Sequence, residues 1–115
     1  MKMANETVVQ YFNNLIKQEN EYLSMFKERF ERSPLLALED ALTATKAAAN
    51  VYVFEKAKEI FRNAGPDAVK EYAYEQTSAF ALLLADDQVP SDQVRTAQAQ
   101  YKAWLKVEEV LDEEL

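Results

Sequence analysis

The sequence predicts an all-α fold, an antiparallel helical bundle of about four helices in a single domain covering residues 1–115. Two observations support this prediction. The chain contains one glycine and three prolines, so it has little material for hairpins or glycine-rich loops. Its apolar residues recur at three- and four-residue steps, the repeat of an amphipathic helix. Two longer helices, at about 5–32 and 34–64, are expected to precede two shorter ones, at about 67–85 and 91–112.

The first predicted helix carries an apolar stripe with the spacing of a coiled-coil seam. Glu19 occupies the one stripe position that is not apolar. Arg32, Ser33 and Pro34 leave almost no loop before the next helix, which predicts a tight antiparallel hairpin. The apolar members of the stripe are Val9, Phe12, Ile16, Leu23, Phe26 and Phe30.

The second predicted helix is expected to be central. Ser33 is its N-cap and Pro34 its first helical residue, while Gly65 supplies a left-handed C-cap. Residues 51–54 are all apolar and cover most of the circumference, and a helix that is apolar on several sides packs on several sides. Alanines between 41 and 49 favour close approach of another helix, the alternative being a ligand cleft opposite them. The main stripe is predicted as Leu35, Leu38, Leu42, Thr45, Ala49 and Tyr52.

The two shorter helices are separated by a polar loop at residues 86–90. Asp67 is the expected N-cap of the third helix, and Ser91 is that of the fourth. Each of their apolar stripes again contains one polar residue, Gln76 in the third helix and Glu108 in the fourth.

A polar residue inside an apolar stripe has two interpretations. With suitable helix alignment, Glu19 and Gln76 would form a buried polar layer, which fixes register at a cost in stability. A glutamate in this position is also where a catalytic carboxylate would lie. We interpret Glu19 and Gln76 as structural, because a lone glutamate of this kind usually reaches the bundle edge or pairs with a basic neighbour.

The composition argues against several kinds of site. The chain has no cysteine and no histidine, so a disulfide framework, a zinc site or a thiol nucleophile has no residues to build it. Carboxylate-bridged di-metal bundles also use histidine. No catalytic residue, cofactor or metal ion is therefore expected. The longest apolar run, residues 79–85, is too short for a membrane span. The N-terminus lacks a signal-peptide core, so a cytoplasmic location is expected.

The net charge of −7 lies in the second half of the chain, since residues 65–115 carry four basic and eleven acidic side chains. This distribution disfavours nucleic-acid binding, which needs a basic surface, and favours a protein partner with a basic surface. The alternative is that the acidic surface only keeps the protein soluble. Arg95, Lys102 and Lys106 share one side of the fourth helix, and we interpret that side as a solvated face.

A candidate partner-binding surface lies on the third predicted helix. Tyr72 and Tyr74 are two residues apart, so they point to different faces of the helix and do not enter the same core. Tyrosine is common at binding hot spots. We expect Tyr74 to form an acidic aromatic patch for an arginine-rich protein, the alternative being an isolated half-buried tyrosine. The carboxylates of this patch are Asp67, Glu71 and Glu75.

These features predict a small acidic protein-interaction module that binds, and inhibits or regulates, another protein. The two longer helices exceed the shorter pair, and covering the overhang with a second copy predicts a homodimer. One alternative is an inhibitor that imitates the charge array of a nucleic acid and occupies a DNA- or RNA-binding protein. Another is a self-assembling structural component.

A further alternative is magnesium-dependent enzyme chemistry. All-helical nucleotide pyrophosphohydrolases hold magnesium with carboxylates alone, in Glu-x-x-Glu and Glu-x-x-Asp pairs on adjacent helices. Glu28 with Glu31 and Glu109 with Asp112 have these spacings. Such four-residue patterns are frequent in acidic helices, and 78 positions separate Glu31 from Glu109. We interpret both pairs as coincidental.

Overall fold

The computed structural model describes residues 5–37 and 40–114, with side chains described from 8 to 35 and from 40 to 112. These residues form helices and no strand, which confirms the predicted all-α bundle. Because α2 is a single turn, four long helices make up the bundle. The helices are α1 (Asn5–Arg32), α2 (Pro34–Ala37), α3 (Ala41–Ala64), α4 (Pro66–Leu84) and α5 (Ser91–Glu114).

The four long helices alternate in direction. α1 runs antiparallel to α3, since Lys58 Nζ lies 3.0 Å from Asn13 Oδ1 and Arg29 contacts Asp40. α4 runs antiparallel to both α3 and α5, so α3 and α5 are parallel to each other. α3 packs against α1, α4 and α5, whereas α1 packs mainly against α3. The principal-axis extents are 48 × 35 × 21 Å, so the molecule is about two helix diameters thick.

Three side chains from three helices pack together beside the core. Trp104 of α5 is 1 % exposed, and its ring centroid lies 5.1 Å from that of Tyr72 in α4. Nζ of Lys56 in α3 lies 5.9 Å from the Tyr72 ring centroid, within the range of a cation–π contact. The buried core residues are Val8, Phe12, Ile16, Val53, Phe54, Ala57, Phe61, Val69, Ala73, Ala103, Trp104, Val107, Val110 and Leu111.

The predicted helix at 34–64 is present as two helices, α2 and α3. Asp40, directly before α3, has φ −92° and ψ 1°, away from the helical ψ near −42°. Its Oδ2 atom lies 2.7 Å from Nη1 of Arg29 in α1, an ion pair that is not aligned as a hydrogen bond. The ion pair lies directly before the start of α3. It joins residues from two helices, so a local helical pattern does not reveal it.

The buried face of α3 differs from the predicted stripe. Ala49 is the one described member that is buried, and Leu38 lies outside the described residues. The prediction assumed one continuous helix from residue 34 onward. Because α2 and α3 are separate helices, their residues do not form one apolar stripe. The predicted members found exposed are Leu35, Leu42, Thr45 and Tyr52. The buried residues of α3 are Ala44, Ala47, Ala49, Val53, Phe54, Ala57 and Phe61.

Alanines form the first part of the buried face of α3. Ala44 and Ala47 of α3 are buried and lie on the side of that helix whose other residues contact α1. Small side chains let helix axes approach closely. The alanine-rich segment therefore lies at a helix interface, as its composition favours.

α1 has the predicted bounds, but its second half is poorly covered. Its buried residues, Val8, Phe12 and Ile16, all lie in its first half. In the second half Phe26 is half-buried and Phe30 is exposed. Because α1 packs mainly against α3, the expectation that the whole stripe would be buried is wrong beyond Ile16.

A single residue, Gly65, joins α3 to α4. It has φ 87° and ψ 179°, and its N–H donates to the carbonyl oxygen of Phe61 at 3.0 Å. The positive φ agrees with the glycine that the sequence places here. The predicted left-handed helical cap is wrong, because that conformation has ψ near 47°.

α4 begins one residue before its expected N-cap, Asp67, and α5 begins at its expected N-cap, Ser91. α4 begins at Pro66, where a missing N–H costs nothing, so Asp67 lies in the first turn instead of at the N-cap. α5 begins at Ser91 itself. The carbonyl oxygen of Pro90 accepts a hydrogen bond from the Val94 N–H at 3.0 Å, so Pro90 is the residue before the first turn.

Candidate interaction surface

The outward side of α4 carries the residues that the sequence indicated for partner binding. Tyr74 is 69 % exposed, and Asp67, Glu71 and Glu75 are exposed as well. At 3.6 residues per turn, all of these positions fall within about 100° of one another around the helix axis. The structure therefore places the aromatic ring and the carboxylates on one accessible side of one helix.

Burial of the opposite side of α4 explains why Tyr74 faces outward. Val69, Ala73 and Thr77 are buried at four-residue steps, which fixes the rotation of the helix. Tyr72 packs against Trp104 in the interior. Tyr74, two residues further on, is turned about 200° away around the helix axis.

Leu82 is a member of this surface that the sequence analysis missed. It is 77 % exposed and is turned only about 20° from Glu71 around the helix axis. The apolar run at 79–85 contained the signal, because a helix with one buried side cannot bury seven consecutive apolar residues. We call the surface the α4 face, and it consists of Asp67, Glu71, Tyr74, Glu75, Ser78 and Leu82.

The α4 face is negatively charged. Lys70 is the one basic residue in the sequence of α4, and it lies at the edge of the face, with Nζ 3.9 Å from Asp112 Oδ1 of α5. The face thus presents three carboxylates around one exposed ring, with an exposed leucine at its far end. A basic protein surface with an apolar recess has matching charge and shape.

The expected polar layer of Glu19 and Gln76 is not joined by a hydrogen bond among the described side chains, and both residues are half-buried. A polar contact between helices occurs instead at Thr77 of α4. Its hydroxyl lies 3.0 Å from the carbonyl oxygen of Tyr74 and 3.2 Å from Oε1 of Glu108 in α5. The single hydroxyl proton can be donated to one of these acceptors at a time.

A second exposed surface is apolar and lies where α1 ends and α2 begins. Leu35 is 84 % exposed, and Phe30 is exposed too. The rings of Phe26 and Phe30 lie 6.3 Å apart between centroids. We call these three residues the apolar end. All three belong to stripes predicted to be buried, because helical spacing does not show which helices are long enough to be covered.

The basic residues of α5 divide into two environments. Arg95 and Lys102 line a cleft between α3 and α5, where Lys46 of α3 joins them. Lys106 lies 3.6 Å from Glu109 on its own helix. The solvated face predicted for these residues is therefore partly the wall of a concave surface.

The two carboxylate pairs considered for magnesium chemistry lie at opposite ends of the bundle. Glu28 and Glu31 are at the end of α1, beside the start of α3, and Glu28 pairs with Arg32. Asp112 lies beside Lys70 at the start of α4, at the far end of α3, about 36 Å away along a 24-residue helix. The pairs do not share a site.

Within the described part of the chain, no three potential metal-ligating side chains are grouped around a common point. The described helices also include none with the length and apolar character needed to cross a bilayer. Comparisons with protein-family models, curated protein sequences and solved structures found no match for this chain.

Proposed function

We propose that this protein acts by binding another protein, of basic surface, through the α4 face. The observation that carries the proposal is the exposure of Tyr74 and Leu82 on a side of α4 that otherwise carries carboxylates. Aromatic side chains supply much of the binding energy at interfaces. Carboxylates around them steer a basic partner and exclude an acidic one.

The test uses covalent capture from the centre of the α4 face. A photo-crosslinking amino acid replaces Ser78, and captured proteins are identified in lysate of the source cells by mass spectrometry. We expect Tyr74→Ala and the double variant Glu71→Lys/Glu75→Lys to lose the captured partner. Loss of an aromatic hot spot costs about 2 kcal/mol or more, which is roughly a thirtyfold loss of affinity.

Two matched controls lie on α3. Tyr52 is exposed to a similar degree, at 61 %, so Tyr52→Ala controls for the loss of a surface tyrosine. Glu55 and Glu59 are exposed and four residues apart, so Glu55→Lys/Glu59→Lys makes the same change in net charge elsewhere. Equal loss of capture in the α3 and α4 variants would contradict the proposal. Displacement of the partner by DNA or RNA would identify the protein as a nucleic-acid mimic.

We also propose self-association through the apolar end, which the exposure of Leu35 and Phe30 supports. Exposed apolar clusters of this kind in small proteins mark interaction sites. Multi-angle light scattering at micromolar concentration should give the mass of a dimer, twice 13.2 kDa. The variant Phe30→Glu/Leu35→Glu should be monomeric, whereas Leu82→Glu on the α4 face should remain dimeric. A monomeric wild type would contradict this second proposal.

A further inference from the structure

We propose that the cleft between the first halves of α3 and α5 binds a small polyanion, either a phosphate compound or a polycarboxylate. We call it the basic cleft, and its volume is about 240 Å³. This proposal is independent of the α4 face and of self-association. The residues that line the cleft are Leu42, Thr45, Lys46, Arg95, Gln98, Ala99 and Lys102.

The charge of the basic cleft is opposite to that of the whole molecule. Lys46, Arg95 and Lys102 supply three positive charges, and the lining includes no carboxylate among the described residues. None of the three is within ion-pair distance of a carboxylate in the described part of the chain, whereas Lys106 and Lys70 are. Three other grooves on the described surface each include at least one glutamate.

Such a concentration of unpaired cations needs a reason in a chain of net charge −7. Like charges that line one cavity repel each other, and bound anions remove that repulsion. Long-range electrostatic attraction by the whole protein does not explain anion binding here, because the net negative charge of the protein repels anions. Binding of a polyanion therefore has to come from the local arrangement of the three cations.

The shape of the basic cleft follows from the alanine-rich packing of α3 and α5. Ala99 is 5 % exposed and forms part of the floor, and its small side chain leaves volume above it. Leu42, which is exposed, supplies an apolar wall. The cavity is slightly smaller than the roughly 300 Å³ at which typical ligand pockets begin. This size suits a compact ligand and excludes a folded protein segment from the interior.

The donors in the cleft match the oxygens of a polyanion. The guanidinium of Arg95 offers a planar fork for two oxygens, and the ammonium groups of Lys46 and Lys102 act as point charges. The Thr45 hydroxyl proton is donated to the Ala41 carbonyl oxygen at 2.9 Å, so Thr45 does not donate to the ligand. The amide of Gln98 can provide a further neutral donor.

Isothermal titration calorimetry of the full chain at low ionic strength tests the proposal, with inorganic pyrophosphate and citrate as separate probes. We expect saturable binding of at least one probe with one site per chain. Arg95→Gln and Lys102→Gln should each weaken it about tenfold or more, since each removes a charged donor. Lys46→Gln should do the same from α3.

Lys106→Gln is the matched control, because it makes the same change one turn further along α5, where the lysine pairs with Glu109. It should leave the dissociation constant within about twofold. Helicity by circular dichroism confirms that each variant is folded. Tighter binding of pyrophosphate identifies a phosphate site, and tighter binding of citrate identifies a carboxylate site. Absence of saturable binding of both, or equal weakening by Lys106→Gln, would overturn the proposal.

Discussion

At the scale of single residues, Gly65 has a conformation that other residues rarely adopt. Its φ of 87° with ψ of 179° lies in a region that is essentially restricted to glycine. A Cβ atom built at this position meets nothing within 4 Å. The cost of replacing Gly65 is therefore backbone strain and not a steric clash with a neighbour.

We predict that Gly65→Ala lowers the free energy of unfolding by about 1–3 kcal/mol. Urea denaturation followed by the fluorescence of Trp104, the one tryptophan in the chain, measures this change. The helix should remain intact on both sides, so circular dichroism at low urea should match that of the wild type. An unchanged or higher stability would show that the junction relaxes to an ordinary conformation.

Exposure of individual residues was predictable where one helix supplied all the information. Tyr72 and Tyr74 had to face different sides because they are two residues apart, and the structure packs a half-buried Tyr72 against Trp104 while Tyr74 is exposed. Leu35 shows the limit of this reasoning. Its position in an apolar stripe predicted burial, but burial needs a covering element, and the sequence does not show which helix reaches it.

At the scale of helices, the antiparallel contact of α3 with α1 includes small buried side chains. Ala47 is 3 % exposed, whereas its neighbour Ala48 faces solvent. The same substitution changes helix propensity almost equally at Ala47 and at Ala48. A difference in stability between the two variants therefore measures the effect of packing.

We predict that Ala47→Leu destabilises the protein by about 1–3 kcal/mol, because extra methyl and methylene groups overfill a close interface. Ala48→Leu should change stability by no more than about 0.5 kcal/mol. Thermal or urea unfolding of both variants tests this difference. Equal effects at the two positions would mean that α3 and α1 separate easily beside Ala47.

Helix bounds were predicted well where local signals set them and poorly where distant contacts did. Residues 5–32 and the ends marked by Gly65 and Ser91 follow capping and breaking residues, and the structure agrees within a residue or two. The separation of α2 from α3 involves Arg29 and Asp40, which meet only after the chain folds back. The sequence offered a ligand cleft opposite the alanines as an alternative but did not show which basic residues would line it, because Lys46 and Arg95 are 49 positions apart.

At the scale of the whole molecule, α1 packs into the core through its first half. Its first half contributes Val8, Phe12 and Ile16 to the core, and its second half has no buried side chain among the described residues. Regions with few buried apolar contacts open at lower free energy than the rest of a protein. Local stability should therefore differ between the two halves of α1, although the helix is continuous.

We predict that amide hydrogens at 20–32 exchange with solvent faster than those at 100–111, measured by hydrogen–deuterium exchange with mass spectrometry. The second range includes Ala103, Trp104 and Val107, which are all buried. If the apolar end mediates dimer formation, dilution below the dissociation constant should speed exchange at 20–32 further. Uniform protection along α1 at every concentration would contradict this prediction.

The order in which helices contact each other also determines how quickly the chain can fold. α3 packs against α4, the next helix in the chain, and α4 packs against α5, while α1 meets α3 across a short connection. Among the principal contacts, only that of α3 with α5 joins helices with a long helix between them. Loop closure therefore costs little conformational entropy, and helical proteins with such local contacts fold in microseconds to milliseconds. Trp104 of α5 packs beside Tyr72 of α4. Its fluorescence therefore gives a natural signal for the packing of α5 during folding.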